Sequence, residues 1–93
     1  MKRPLLRSPA FVRAAQKLVK KNPDIIREFH LTLDLLAENA FHPKLKTHKL
    51  KGKLEGSWAC SVDYDLRILF DFVTFQGKEA ILLLTLGTHK EVY

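Results

Sequence analysis

The chain has one cysteine, Cys60, among 93 residues. A single thiol cannot close an internal disulfide, so the fold does not depend on an oxidising compartment. Long hydrophobic runs are also missing: no stretch approaches the roughly 18 apolar residues of a membrane span. The basic segment at residues 1–12 is broken by Arg7 and two prolines and lacks the apolar region of a signal peptide. These absences predict a cytoplasmic protein with no membrane partner. There is no Gly-rich phosphate loop and no nucleophile elbow. His30, His42, His48 and His89 lack ligand spacing and have only one cysteine to join them, which predicts no metal and no cofactor. Acid is missing from two blocks. Residues 1–21 hold seven Lys/Arg (Lys2, Arg3, Arg7, Arg13, Lys17, Lys20, Lys21), and residues 42–54 hold five lysines (Lys44, Lys46, Lys49, Lys51, Lys53). The remainder is acidic on balance within a net charge of +6. Two basic blocks on an acidic body point to a polyanion, either nucleic acid or the ribosome, or to an acidic protein.

What is present suits one globular domain over residues 1–93. Hydrophobic residues make up 46%, enough to argue against disorder. Residues 2–7 read as an edge strand, with Pro4 restricting pairing. Ser8-Pro9 is an N-cap followed by a first-turn proline. Phe11, Ala15, Leu18 and Val19 then form one helical face. Asn22-Pro23 ends that helix and starts a second, whose stripe is Ile26, Phe29, Leu33 and Leu36. Residues 40–54 form a lysine-rich connection that Leu45, Leu50 and Leu54 pin to the body. From Gly56 the period changes to two: Trp58, Cys60 and Val62, then Ile68, Phe70 and Phe72. Gln76-Gly77-Lys78 is a hairpin turn, and residues 79–86 are the last strand. The order predicts an α+β domain with an N-terminal strand, a helical hairpin and a three-stranded antiparallel meander. The helices pack on one face of the sheet and leave the other for function.

Candidate chemistry gathers near the strand ends. Antiparallel pairing of the last two strands would bring Asp65, Arg67 and His89 to one end of the sheet. His48 lies in the basic connection. Cleavage of RNA by its own 2′-hydroxyl needs a base, an acid for the leaving 5′-oxygen and a cation for the phosphorane. Asp65 or His48 can be the base, His89 the acid, and Arg67 the forked phosphate clamp. Trp58 reads as core, and Tyr64-Asp65 as a turn.

Four segments carry a resemblance: His48-Lys49-Leu50, Leu54-Glu55-Gly56-Ser57-Trp58, Tyr64-Asp65-Leu66-Arg67-Ile68-Leu69-Phe70 and Gly87-Thr88-His89-Lys90-Glu91-Val92-Tyr93. In this order they resemble the RelE/ParE superfamily of bacterial toxins, in its YafQ-like branch. The resemblance implies the toxin of a type II toxin–antitoxin pair, held by a cognate antitoxin, which cleaves mRNA on the ribosome. In the YafQ-like pattern His48, Asp65 and His89 match catalytic positions. Arg67 and Tyr93 match positions used by RelE proper, for phosphate and for the attacking hydroxyl. Lys44, Lys46, Lys49, Lys51, Lys53 and Lys90 become contacts to RNA and the ribosome. The chain departs from the YafQ-like pattern at Ser61, where the pattern has histidine, and at Leu66, where it has tryptophan. RelE proper places lysines on the strand before Arg67; here Lys51 or Lys53 would substitute. The alternative within the superfamily is a ParE-like toxin that poisons DNA gyrase without cutting RNA.

Overall fold

The computed structural model of the protein describes residues 2–92. The chain runs β1 (Leu5–Arg7), α1 (Pro9–Lys21), α2 (Ile26–Glu38), β2 (His48–Lys49), β3 (Trp58–Ser61), β4 (Leu66–Phe75), β5 (Lys78–Thr88) and α3 (His89–Val92). Short 3-10 turns occupy Pro23–Ile25, Pro43–Leu45 and Gly52–Leu54. The expected strand, helical hairpin and antiparallel meander are all present. The sheet is wider than the meander, with five strands in the order β1-β5-β4-β3-β2. β1 adds to β5 in parallel, Leu5 opposite Ile81, and β2 adds to β3 antiparallel, His48 opposite Ala59. β2 falls inside the segment read as a connection, because two residues are too few to show a strand period. Among the described residues no helix is long and apolar enough to cross a membrane.

α1 starts and stops at its caps. The Ser8 hydroxyl accepts the Phe11 N–H at 3.0 Å, with Pro9 in the first turn. Such a cap is worth about 1 kcal/mol. Asn22 closes α1 by donating its N–H to the Leu18 carbonyl. In α2, Phe29, Leu33 and Leu36 are buried as the stripe required, but Ile26 is exposed and Ile25 takes its place. The 3-10 turn after Pro23 has three residues per turn rather than 3.6, which rotates the entry to α2. These side chains meet Ile68, Phe70, Ile81 and Leu83 in one core between helices and sheet.

The pairing of β4 with β5 contains an irregularity. Leu69 faces Thr85 and Phe70 faces Leu83, so Leu84 is an extra residue, a β-bulge. Ser8 holds it: its hydroxyl donates to the Leu84 carbonyl at 2.8 Å, and its N–H donates to the Leu83 carbonyl at 3.1 Å. The bulge shifts the alternation of β5. Ile81 and Leu83 reach the helix-side core before it, and Leu86 does so after it. Gly87 therefore arrives opposite Arg67, on the outer face.

The outer face is not wholly open, contrary to the expectation that it is left for function. Leu50, Ala59 and Leu69 are buried there, joined by Leu54, Leu84 and Val92. Val92 arrives on α3, which folds back across Gly87. A Cβ on Gly87 would stand 3.1 Å from both Glu91 Cβ and Val92 Cγ1. The turn into α3 is a capping box: the Thr88 N–H donates to Glu91 Oε1 at 2.8 Å, and the Glu91 N–H to Thr88 Oγ1 at 3.4 Å. The bond from the Thr88 backbone, then that from its side chain, holds the Glu91 carboxyl below the usual range, with Lys21 and Lys17 adding to the effect.

Two consequences can be measured. Gly87→Ala should lower stability by about 1–3 kcal/mol through overpacking against α3; unchanged urea unfolding would show that α3 yields freely. A carboxylate lowered in the folded state stabilises above its unfolded pKa, near ~4.3, and loses that contribution as pH falls through the folded value. The Thr88 amide resonance should therefore shift as pH drops below the usual carboxylate range. Glu91→Ala should abolish that titration, and its persistence in the variant would rule out the capping box as its source.

Candidate active site

The β4–β5 register builds the site. Leu66 pairs with Thr88 and Arg67 with Gly87, so the start of β4 and the end of β5 share one edge. Asp65 precedes β4 and His89 follows β5. They are joined directly: the His89 N–H donates to the Asp65 carbonyl at 3.1 Å and lies 3.3 Å from Asp65 Oδ1. Tyr64, Asp65, Arg67, Thr88, His89 and Lys90 line a cleft of about 410 Å³. The sequence-predicted grouping of Asp65, Arg67 and His89 is thus present.

The turn before β4 is shaped by Asp63 rather than by Asp65. Asp63 Oδ1 accepts the N–H groups of Asp65 and Leu66 at 3.0 and 2.8 Å. This side chain-to-backbone turn leaves the exposed Asp65 side chain at the cleft. Arg67 is half-buried, and its Nη1 donates to the Asp63 carbonyl at 2.9 Å and the Leu66 carbonyl at 3.3 Å. Those bonds fix the guanidinium plane. Nε and Nη2 have no hydrogen-bond partner among the described residues, and together they make the edge with which an arginine can grip a phosphate by two parallel bonds. Behind Arg67, burial pushes the Cys60 thiol up to about 12, against the pull of the Arg67 charge. Cys60 therefore stays protonated at neutral pH and is not a nucleophile.

His48 is placed apart from that cleft. On β2 it faces Ala59 of β3, two strands and two residues away from Arg67, about 12 Å by sheet spacings. Ala59 and Leu69, buried in the outer apolar cluster, lie between. The ring is oriented by a 3.0 Å bond between Nδ1 and the Lys46 carbonyl. A carbonyl only accepts, so in this bond Nδ1 carries the proton. Lys46 makes this bond from a left-handed conformation, φ 52°, at the end of the Pro43–Leu45 turn.

The lysines divide. Lys49, Lys51 and Lys53 line a groove of about 380 Å³ with His48, Leu50 and Leu54. Lys49 also stands over the Trp58 ring, Nζ 5.6 Å from its centroid. Lys44 instead joins Glu28, Asp34 and Glu38 beside α2. Lys46 is exposed, and Lys90 is in the cleft with His89. Tyr93 lies outside the described residues. Among those residues no cluster of three or more His, Cys, Asp or Glu could hold a metal ion.

Sequence reasoning passed over the Thr88–Glu91 capping box, although Thr-x-x-Glu is a readable signature. It also treated Tyr64 as a turn residue only. In the structure that ring is 97% exposed at the cleft.

Comparison with known proteins agrees with this fold. The crystal structure of YafQ from Escherichia coli superposes with a TM-score of 0.79 at 18% identity, covering 99% of each chain. YafQ in complex with DinJ matches equally, at 0.79 and 18% over 99% of each chain. A metal-bound toxin from Helicobacter pylori gives 0.74 at 27% identity over the whole of both chains. A YoeB/ParE toxin from Agrobacterium tumefaciens gives 0.76 at 12%, covering 92% of this chain and 98% of that one. No curated protein sequence matches significantly. The family model described as the bacterial toxin of type II toxin-antitoxin systems, YafQ, matches residues 4–93, and the chain belongs to that family.

Proposed function

We propose that this toxin is a ribosome-dependent mRNA endoribonuclease that stops translation in the cytoplasm. The observation that carries the reading is the β4–β5 register, which puts a carboxylate, a histidine, a forked cation and a lysine into one cleft. Asp65 is the base that takes the 2′-hydroxyl proton. The freed oxygen attacks the adjacent phosphorus, and the bond to the 5′-oxygen breaks. His89 protonates that oxygen as it leaves. The products are a 2′,3′-cyclic phosphate and a 5′-hydroxyl end, so no metal or cofactor enters the balance. Arg67 offers Nε and Nη2 to the non-bridging oxygens as charge grows on them. His48 assists from the far side of β3, where the RNA strand crosses the sheet. Tyr93 orients the attacking ribose, as the resemblance to RelE proper implies. Lys49, Lys51, Lys53 and Lys90 hold the backbone phosphates on either side of the cleft, with Lys44 and Lys46 contacting the ribosome. Affinity resting on such contacts falls steeply with salt.

The partner that restrains the toxin is a cognate antitoxin, as the DinJ-YafQ toxin-antitoxin complex of a relative suggests by analogy. An acidic or amphipathic segment suits the basic face of α1, where Arg13, Lys17 and Lys20 flank Val19.

Primer extension on a reporter mRNA in a translating extract tests the reading. Wild-type protein should give discrete in-frame cuts that disappear when ribosomes are removed. His89→Ala should reduce cutting by roughly 10²–10⁴-fold while the protein stays folded. Arg67→Lys keeps the charge and loses the fork, and cutting should fall about 10²-fold. A folded wild-type protein that cuts nothing, with a DNA damage response on expression, would replace this reading with gyrase poisoning.

A further inference from the structure

Tyr64 is the most exposed large hydrophobic residue described, at 97%. The next, Phe41, is 54% exposed and packs its ring against Trp58 and Phe72, at 5.4 and 5.7 Å. Tyr64 makes no ring contact, cation contact or hydrogen bond among the described residues. It contributes nothing to the core, yet its backbone is held rigidly. Asp63 Oδ1 accepts the N–H groups of both residues that follow Tyr64, and the Asp65 carbonyl is tied to His89. A stiff turn thus presents a bare aromatic ring at the wall of the cleft that contains Arg67, His89 and Lys90.

Chemistry favours RNA as its occupant. Single-stranded RNA is gripped by cations on its phosphates and by aromatic rings against its splayed bases. Arg67 and Lys90 supply the cations in this cleft, and among the described residues Tyr64 is the aromatic group lining it. The two neighbouring acids do not reverse the local preference. Asp63 is engaged by two backbone N–H groups, and Asp65 faces the His89 amide. Cutting within a long strand also requires the reacting phosphate to be held in line, and fixing the base beside it removes the main rotation that would spoil that alignment.

We propose that Tyr64 is the stacking platform for the nucleobase adjoining the scissile phosphate, and that it sets which nucleotides the cleft accepts. This rests on the nuclease reading above. A flat ring accepts any base but favours the larger purine face, so Tyr64 biases the cut toward purines and tightens substrate binding.

The test compares wild type with Tyr64→Ala, Tyr64→Phe and Tyr64→Trp on one reporter mRNA of varied codons in a translating extract, beside His89→Ala. Tyr64→Ala should remain folded by circular dichroism and cut about tenfold less, the loss expected for one base stack. Its purine bias at the cut should flatten, while Phe and Trp restore both rate and bias. A Tyr64→Ala protein that cuts at the wild-type rate and positions, with His89→Ala inactive, overturns the inference and leaves the nuclease reading standing. Failure of Phe and Trp to restore cutting overturns stacking in favour of the phenol hydroxyl. A Tyr64→Ala toxin that cuts normally but escapes its antitoxin assigns the ring to protein contact and overturns the inference too. Absence of cuts from wild type removes the nuclease reading, and this inference with it.

Discussion

The structure turns on the hydrogen bonds Ser8 makes to a bulged strand. With its N–H and hydroxyl on the carbonyls of Leu83 and Leu84, it holds the point where β5 gains a residue over β4. The same oxygen caps α1. One small side chain thereby joins the first helix, the edge strand before it and the strand that delivers His89. Without the extra residue, strict alternation would turn Gly87 to the helix side and Leu86 outward. Leu86 would leave the core, and the residues after Thr88 would leave the strand on the wrong face.

How far the sequence discloses this depends on the pattern each segment carries. Ser8-Pro9 uses cap chemistry that acts over three residues, and Asn22-Pro23 marks where α1 closes and the 3-10 turn leading to α2 opens, so both helices can be placed from the text alone. Gln76-Gly77 likewise shows its turn, and the observed φ values of 51° and 76° are those a two-residue hairpin requires. The pairing of Arg67 near His89 follows from that turn by counting. The bulge is different. It lies in Ile81-Leu82-Leu83-Leu84-Thr85-Leu86, a run with no polar alternation to lose phase. Its cause is a serine 76 positions away. The exchange of Ile26 for Ile25 in the core is hidden for a related reason, since apolar residues stand at both positions and only the 3-10 turn chooses between them.

The site shows the same division. Asp65, Arg67 and His89 are legible because they sit at strand ends that the hairpin fixes. The separation of His48 is not, since it depends on Leu50 and Leu54 reaching across from an irregular segment to cover Ala59 and Leu69. That apolar cover divides the outer face into a lysine groove and an acid–base cleft, with β3 running between them. Rigidity is supplied where charge is concentrated. Arg67 is held by two backbone carbonyls, His48 by one, and the His89 amide by Asp65. Groups anchored in this way need not reorient to meet an anion.

The order of the strands has a consequence for synthesis. β5 lies inside the sheet, between β1 and β4, yet it is made after both of them. A nascent chain that has reached only β4 exposes an unpaired strand edge, leaves β1 without a neighbour and contains neither His89 nor Lys90. Contacts such as that from Ser8 to Leu84 close loops of most of the chain's length and are formed late. The cleft between Asp65, Arg67 and His89 is therefore completed only once β5 has been added and paired.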